Sequence, residues 1–453
     1  MRRLLLLVTA LAAPVSAQTD FGAAKPFQSG DVVTFIGDSI THGGTYHAVI
    51  EQFYATRYPD RHIRFYNCGI GGDRSSMIMS DEKYRLNIDI LSHKPTQAVI
   101  MLGMNDINHT DYRVPAETPE ILKKRQESLD LYDQTMDKLI DAVTKAGARL
   151  TLITPSIYDE TTRLTNASQN VSRGGNAALG ECANKVTVFA KRHDTGLVRF
   201  YESMNTLNKV QQQKDPAFTV VGPDRVHPGP VGHFVMAYAF LKAQGLRGTV
   251  STISVDARKR KPAKPENSLI DRIKRAGEGI EFDATEDSLP MVVADAAKPA
   301  LDLVPFMRDM NRETLRIAGL KPGKYAVSID GAPIGEFNAA ALKLGVDIAQ
   351  NEKTPQYKQS AEVTAKMLER AALGQRLRAL VAVRYGIQRA GGDGLDPDAA
   401  EKQIKARPAS KANDAAIETL HQLSALEKQY DELNDAMISM SKPVSHHYVL
   451  AKK

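Results

Sequence analysis

Residues 32–44 read VVTFIGDSITHGG, an apolar run that is followed at once by small and polar residues. The β-branched and apolar residues 32–36 predict a buried strand, and Gly37 ends it. Asp38 and Ser39 then lie at the carboxyl end of this strand, where ligands bind in open α/β sheets. The Ser39 hydroxyl is therefore a candidate nucleophile, although an ordinary strand-to-loop turn has the same local pattern.

Apolar segments alternate with helical segments through the first half of the chain. The further predicted strands are 62–67, 97–102, 149–154 and 197–201, and the predicted helices are 45–58, 82–92, 117–146, 171–193 and 230–242. Five strands that alternate with helices predict a parallel five-stranded sheet with helices on both faces. We expect this α/β domain to span residues 18–250.

The second half of the chain has a different character. Residues 251–280 are basic, contain proline and lack apolar periodicity, which predicts a basic linker. We expect an accessory region over residues 281–453 that is mainly helical. Alternating residues around Asp330-Gly331 predict one β-hairpin within it, over residues 324–337.

Two long amphipathic helices are predicted in this accessory region. Apolar residues recur at helical spacing over residues 363–381 and again over residues 417–437. Residues 390–412, between them, are rich in Gly, Asp and Pro and predict a loop. We expect the two helices to run antiparallel across that loop.

The first residues predict export. Arg2 and Arg3 precede LLLLVTALAA and a group of small residues that ends at Ala17, which is the pattern of a secretory signal peptide. A membrane anchor is the alternative, but the apolar run is too short to span a bilayer. We expect residues 1–17 to be removed, a periplasmic or extracellular location and no stable membrane insertion.

Composition and charge favour a globular protein without a nucleic-acid partner. The chain has 453 residues, of which 42% are hydrophobic and 25% charged, which is ordinary for two or three globular domains. Part of the net charge of +6 comes from the cluster at residues 258–264, which is more typical of a solvated segment than of a nucleic-acid site. Cys68 and Cys182 are the two cysteines, and they are either paired in a disulfide or buried as free thiols.

Four short polar blocks are the candidates for chemistry. They are Gly37-Asp38-Ser39-Ile40, Gly71-Gly72-Asp73, Gly103-Met104-Asn105-Asp106 and Asp224-Arg225-Val226-His227. The first three follow the first three predicted strands, so they should meet at one edge of the sheet. The fourth precedes the last helix of the domain and can fold back to that edge.

These blocks contain the groups that acyl transfer requires: a nucleophile, a base, a group that orients the base, and donors for an oxyanion. Ser39 is the candidate nucleophile, His227 the candidate base and Asp224 its orienting partner. The backbone N–H groups of Ser39 and Gly72, with the side-chain amide of Asn105, can form an oxyanion hole. Each block alone is explained by a turn or a loop hydrogen bond, but their conjunction is specific.

The blocks resemble those of the SGNH (GDSL-type) hydrolase family. FIGDSITHGG, NCGIGGD, GMND and DRVHP match the family's blocks in order, over roughly residues 30–245. The resemblance implies a flavodoxin-like three-layer α/β/α fold. It assigns the catalytic roles to Ser39, Asp224 and His227, and the oxyanion hole to Ser39, Gly72 and Asn105. Gly71 is an alternative to Gly72 as the glycine donor.

We therefore predict an exported serine esterase that removes short O-acyl groups, above all O-acetyl groups, from carbohydrate through a Ser-His-Asp triad and an acyl-enzyme. A lipase-like or thioester-cleaving esterase is the alternative within the same chemistry. A carbohydrate-binding or cell-surface protein with a vestigial hydrolase domain is the alternative from another class. The expected partner is an acylated carbohydrate or another small ester. The chain contains no GxSxG, P-loop, HExxH or CxxC motif, and we expect no cofactor and no metal.

Overall fold

The computed structural model describes residues 19–246 and 248–453. The predicted signal peptide, residues 1–17, lies outside the described residues. Within them, every helix is too short or too polar to cross a membrane.

Strands and helices alternate through the first half of the chain. The strands are β1 (Gly22–Ala23), β2 (Val32–Gly37), β3 (Arg64–Gly69), β4 (Gln97–Met101), β5 (Arg149–Ile153) and β6 (Gly196–Val198). The helices are α1 (Ser39–His42), α2 (Thr45–Arg57), α3 (Ser75–Ser80), α4 (Pro119–Lys145), α5 (Gly175–Arg192), α6 (Phe200–Gln212) and α7 (Pro230–Ala243). A π-helical turn covers Glu82–Ile88, and 3₁₀ turns cover Leu91–His93 and His109–Tyr112.

These strands form one sheet in the order β1-β6-β5-β4-β2-β3. The strands β2 to β6 pair in parallel, as predicted, whereas β1 pairs antiparallel with β6. The prediction of a five-stranded, wholly parallel sheet is therefore wrong at one edge, where β1 adds a sixth strand within the described chain. Two residues that include Gly22 carry no alternation that a sequence pattern could reveal.

The strand β2 lies between β4 and β3 and is covered by helices on both faces. Val33, Phe35 and Ile36 are fully buried, as expected for a strand inside a parallel sheet. Cys68 and Cys182 are both buried free thiols, which decides between the two alternatives left by the sequence. The carboxyl ends of β4, β2 and β3 are adjacent, so the segments that follow them meet at one edge.

The second half of the chain contains two further sheets and a group of helices. The strands are β7 (Ser251–Asp256), β8 (Lys261–Pro262), β9 (Ser268–Ala276), β10 (Gly279–Glu286), β11 (Glu313–Ala318), β12 (Lys324–Ile329), β13 (Ala332–Asn338), β14 (Val346–Asp347) and β15 (Ser445–Lys452). The helices are a 3₁₀ segment (Asp295–Asp302), α8 (Phe306–Met310), α9 (Ala339–Leu344), α10 (Pro355–Arg389), α11 (Pro397–Lys405), α12 (Lys411–His421) and α13 (Leu423–Met440). The sheet orders are β13-β12-β15-β10-β9 and β14-β11-β7-β8.

One prediction for this half is wrong. Residues 251–280 are not a linker, because β7, β8 and β9 occupy most of them. The accessory region is mainly helical, as predicted, but it also contributes strands beyond the hairpin to both sheets. The strand β9 is largely exposed, so its charged residues mask the alternation that would identify a strand. The predicted hairpin is confirmed: β12 and β13 pair around Asp330-Gly331, where both residues have positive φ.

The two predicted long helices are present, with one interruption. The helix α10 contains the first apolar stripe, but the second stripe is divided at Gln422 between α12 and α13. The predicted loop at 390–412 contains α11. The helix α10 runs antiparallel to α13, because Gln359 bonds the Met440 carbonyl while Arg370, further along α10, stacks on Tyr430.

Candidate active site

Ser39 is the first residue of α1, directly after β2 ends. The preceding Asp38 is buried, and its carboxylate accepts a hydrogen bond of 3.0 Å from the backbone N–H of Ile40, which caps the helix. This cap holds Ser39 at the start of the helix, with its side chain half-buried. Among the described residues the backbone N–H of Ser39 has no hydrogen-bond partner.

The structure brings Ser39, His227 and Asp224 into one hydrogen-bonded chain. The Oγ atom of Ser39 lies 2.7 Å from Nε2 of His227, and Nδ1 of His227 lies 2.5 Å from Oδ2 of Asp224. The loop that carries the latter two residues is closed by a bond of 2.7 Å from the Gly222 N–H to the His227 carbonyl. The three side chains can therefore pass a proton from the serine to the imidazole while the carboxylate orients the ring.

The carboxylate of Asp224 is kept ionised by its contacts. Burial acts to raise the pKa of Asp224, but hydrogen bonds from the His227 backbone, the His227 ring and the Val226 backbone outweigh it and lower that pKa. Both backbone N–H groups lie 3.0 Å from Oδ1. An ionised Asp224 accepts a hydrogen bond from the N–H at Nδ1 of His227 and so leaves Nε2 free to act as a base toward Ser39.

Each of the three predicted oxyanion donors has a hydrogen without a partner in the described chain. The N–H of Gly71 donates to Nδ1 of His42 at 3.1 Å, whereas the N–H of Gly72 has no partner in the described chain. The side-chain amide of Asn105 uses one hydrogen in a bond of 3.1 Å to the Asp73 carbonyl. The other amide hydrogen remains for a ligand. The geometry favours Gly72 over Gly71 as the glycine donor.

The residues of this site lie in a segment that is similar to a known protein family. The model of the GDSL-like Lipase/Acylhydrolase family matches residues 35–234, which include all four blocks. A solved structure of a gut microbial diltiazem-metabolizing enzyme is 31% identical, with a TM-score of 0.86, and the match covers 95% of this chain and 100% of that chain. The chain belongs to the GDSL-like lipase/acylhydrolase family. The SGNH resemblance read from the motifs is thus confirmed, and the chain is an esterase of the SGNH type.

A curated relative matches the hydrolase half alone. The acetylxylan esterase of Geobacillus stearothermophilus is 27% identical over 234 residues, which is 48% of this chain and 95% of that protein. The match to the diltiazem-metabolizing enzyme extends over nearly the whole chain, so that enzyme shares the C-terminal architecture as well. This GDSL-like esterase is therefore a hydrolase domain with a second folded region that the acetylxylan esterase match does not cover.

The glycine loop of the esterase packs closely on α1. A Cβ atom at Gly69 would lie 2.3 Å from the backbone N of His42, so no larger residue fits there. Gly72 has φ of +78°, a conformation that other residues adopt only with strain. Burial and the charges of Arg378 and Arg85 lower the pKa of His42, so its ring stays neutral and accepts from Gly71 near neutral pH. His42 was not identified from the sequence.

A buried ion network supports this loop from behind. Arg85 is fully buried and donates to the Asp73 carboxylate at 2.9 Å, to Asp89 and to the Cys68 carbonyl. Arg378, on α10 of the C-terminal region, donates to the Gly69 carbonyl at 2.6 Å and to both oxygens of Asp89. The second region thus contacts the loop that carries the oxyanion glycine. The sequence offered no signal for this, since Arg378 is one of many charged residues on an amphipathic helix.

A second buried carboxylate holds the Asn105 loop. Asp106 accepts from the Ser75 backbone at 2.9 Å, from the Ser75 hydroxyl at 2.7 Å and from the Gly103 N–H at 3.0 Å. Burial raises the pKa of Asp106 to about 6, against the effect of these hydrogen bonds. Asp106 therefore fixes the segment on which Asn105 lies by joining it to α3.

The Ser39 hydroxyl opens into a small cleft of about 270 Å³. The lining residues are Ser39, Arg74, Met104, Asn105, Asn108, His109, Thr110, Arg113, Val226 and His227. Most of these side chains are polar. The described residues of the cleft form no long apolar channel. Residues 19–246 and 248–453 contain no cluster of three or more side chains suited to hold a metal ion.

Proposed function

We propose that this esterase hydrolyses short-chain O-acyl esters, with O-acetyl groups on carbohydrate as its substrates. The observation that carries the proposal is the hydrogen-bonded chain from Ser39 through His227 to Asp224, together with three donors that have no partner among the described residues. Such an arrangement is suited to acyl transfer through a covalent acyl-enzyme. The proposal assigns catalytic roles to these three residues and to the donors on Gly72 and Asn105.

The reaction proceeds in two halves. The Oγ atom of Ser39 attacks the ester carbonyl carbon while its proton passes to Nε2 of His227. The negative charge on the carbonyl oxygen is stabilised by the N–H groups of Ser39 and Gly72 and by the Asn105 amide. The C–O bond to the alcohol then breaks, and His227 returns the proton to the leaving oxygen. A water molecule repeats the attack on the acyl-enzyme, giving the free acid and restoring Ser39.

The small polar cleft supports an acetyl ester of a polar alcohol over a long fatty ester. The match to an acetylxylan esterase points in the same direction. A lipase-like enzyme would need an apolar channel for its acyl chain. A vestigial hydrolase domain is disfavoured, because the proposed nucleophile, base and orienting carboxylate form one hydrogen-bonded chain.

A series of p-nitrophenyl esters from acetate to octanoate tests the acyl preference. We expect kcat/KM to be highest for acetate and to fall with chain length, and Ser39→Ala to lower kcat on the order of 10⁴-fold. Release of acetate from acetylated xylan and from other acetylated polysaccharides then tests the alcohol part. A preference for octanoate would favour the lipase-like alternative, and near-normal turnover by Ser39→Ala would refute the mechanism.

We further propose that the protein is exported with removal of residues 1–17. The support is the basic, apolar and small-residue pattern that ends at Ala17. N-terminal sequencing of the protein recovered from the periplasm or medium should begin at Gln18. Recovery of the intact N-terminus in the cytoplasm would contradict export.

A further inference from the structure

Two arginines line the cleft beside Ser39, and the acyl-transfer mechanism uses neither of them. Arg74 directly follows the glycine loop that carries the oxyanion donor Gly72. Arg113 follows the 3₁₀ turn at His109–Tyr112, which comes after Asn105 in the chain, and it lines the same cleft. Both residues therefore line the same cleft as the proposed nucleophile Ser39 and the proposed base His227.

Arg113 is held in place by buried polar groups. Its Nε atom donates to the Ser172 hydroxyl at 2.9 Å, and Ser172 is fully buried. The same hydroxyl bonds Nδ1 of His109 at 3.0 Å, and the Ser172 N–H donates to the Tyr158 hydroxyl at 2.9 Å. These contacts orient the guanidinium group and leave its terminal N–H donors without a described partner.

Neither arginine is neutralised by the protein. In the described part of the chain, no carboxylate forms an ion pair with Arg74 or Arg113, whereas Arg125 nearby pairs with Glu117. Burial, followed by the charge of Arg113, lowers the pKa of His109 to about 4, so its ring adds no charge to the cleft near neutral pH. The cationic character of the cleft at neutral pH thus comes from the two guanidinium groups.

A guanidinium group binds a carboxylate through parallel N–H bonds, and the pairing is strong where water is partly excluded. The acyl part of an acetyl ester carries no charge. The anion must therefore belong to the alcohol part, and among sugars a uronic acid has a carboxylate on the same ring as its acetylated hydroxyl groups.

We propose that Arg74 and Arg113 form an anion subsite beside Ser39, which binds the carboxylate of an acetylated acidic sugar. This inference rests on the proposed esterase function and adds the substrate class to it. The subsite makes the enzyme selective for acetyl esters of uronic acids over acetyl esters of neutral sugars.

The test uses two substrates that differ in one group, the mono-O-acetyl methyl glycosides of glucuronic acid and of glucose. We expect kcat/KM for the uronic acid to exceed that for glucose by about 10-fold or more, because each charge-assisted hydrogen bond contributes on the order of 10-fold. The ratio should shrink as sodium chloride is added, since salt screens partly exposed charges.

Substitutions at the two arginines test whether they cause the preference for the uronic acid ester. Arg74→Gln and Arg113→Gln should each reduce the ratio of the two kcat/KM values by about 10-fold. Arg173→Gln is the matched control: Arg173 is exposed, lies next to Ser172 and does not line the cleft, so the ratio should be unchanged although the same charge is lost. Arg74→Lys and Arg113→Lys should retain part of the preference.

The wild-type enzyme alone can also overturn the inference. Unacetylated methyl glucuronoside should inhibit p-nitrophenyl acetate hydrolysis at a lower concentration than methyl glucoside. Equal kcat/KM values for the two esters and equal inhibition by the two glycosides would refute the anion subsite while Ser39-dependent esterase activity stood. Failure to cleave any ester would refute the proposed function itself.

Discussion

The guanidinium group of Arg378 binds both carboxylate oxygens of Asp89, with Nη2 lying 2.7 Å from Oδ2. Arg378 belongs to α10 of the C-terminal region, and Asp89 to the hydrolase half. Asp89 also binds Arg85, which binds Asp73, and the Asp73 carbonyl accepts the amide hydrogen of Asn105. The orientation of a proposed oxyanion donor therefore depends on a side chain some 270 residues further along the sequence.

Arg378→Met is expected to lower kcat on the order of 10- to 100-fold with little change in KM, because small displacements of a catalytic donor are costly. The substitution leaves the buried Asp89 with Arg85 as its remaining guanidinium partner and removes the bond to the Gly69 carbonyl. Arg378→Lys should restore part of kcat. Steady-state kinetics with p-nitrophenyl acetate, well below the unfolding temperature, measure both parameters.

Arg376→Met is the control for this prediction. Arg376 lies on the same helix and faces Glu418 at 3.6 Å, with both side chains exposed. The Arg376→Met substitution should leave kcat unchanged. A similar loss of kcat in both variants would show that the Arg378 contacts have only a structural role. The same conclusion would follow if the loss of kcat in Arg378→Met merely matched the fraction of unfolded protein.

Asn105→Ala should lower kcat on the order of 10²- to 10³-fold, because its amide donates mainly to the charge that develops in the transition state. In the Asn105→Ala background, Arg378→Met should cost less than it does alone, since both changes act on the same donor. If the double variant loses kcat by the product of the two single losses, Arg378 does not act through the Asn105 donor. A change confined to KM would reassign Asn105 to substrate binding.

Asp224→Asn should lower kcat on the order of 10⁴-fold, because an amide in this position favours the wrong tautomer of His227. The loop should survive the change, since the amide oxygen can still accept from the backbone N–H groups of Val226 and His227. Circular dichroism and the melting temperature serve as the control for folding. Retention of more than about a tenth of kcat would show that the tautomer of His227 is set by another group.

Glu286 and Glu313 make stability depend on pH. Burial raises the pKa of Glu286 to about 7, and burial followed by the charge of Glu286 raises that of Glu313. The folded protein therefore favours the protonated forms, while the unfolded chain ionises both near pH 4.5. The contribution of Glu286 to the free energy of unfolding is complete below about pH 4 and is lost as pH rises through about 7, and Glu313 acts in the same direction.

Glu286→Gln should therefore raise the free energy of unfolding at about pH 8, relative to wild type, by on the order of 2 kcal/mol. The gain should disappear at about pH 4. The amide oxygen preserves the bond from the Ser251 hydroxyl. Urea denaturation at several pH values gives the difference, and the exposed Glu352→Gln should show no such trend. A difference that does not vary with pH would contradict the buried ionisable pair.

The hydrolase half could be predicted well because its signals are local. The buried strand β2 consists almost entirely of β-branched and apolar residues, and Asp38 and Ser39 follow directly at its end. The prediction of a wholly parallel sheet failed only at β1, which is too short to have an alternating pattern. Residues no more than three positions apart, such as Asp224 and His227, can also be predicted from the sequence to form a hydrogen bond.

The supporting residues could not be predicted, because their contacts join distant segments. Nothing near Arg378 in the sequence indicates Asp89, and the single charge of Asp73 does not indicate Arg85. The same limit applies to His446 and His447, whose partners lie far away in the sequence. They lie in β15 and bond Asp330 and Asp283. A strand that pairs far away in the chain reveals its position only in the folded sheet.

The position of β15 bears on how the polypeptide folds as it leaves the ribosome. The six strands of the hydrolase sheet are all synthesised by Val198, so that sheet can assemble on the nascent chain. The five-stranded sheet cannot, because Ser445–Lys452 must insert between β10 and β12. Any product that stops before Ser445 presents two open strand edges to other copies, so incomplete chains should aggregate rather than accumulate as a soluble shorter enzyme.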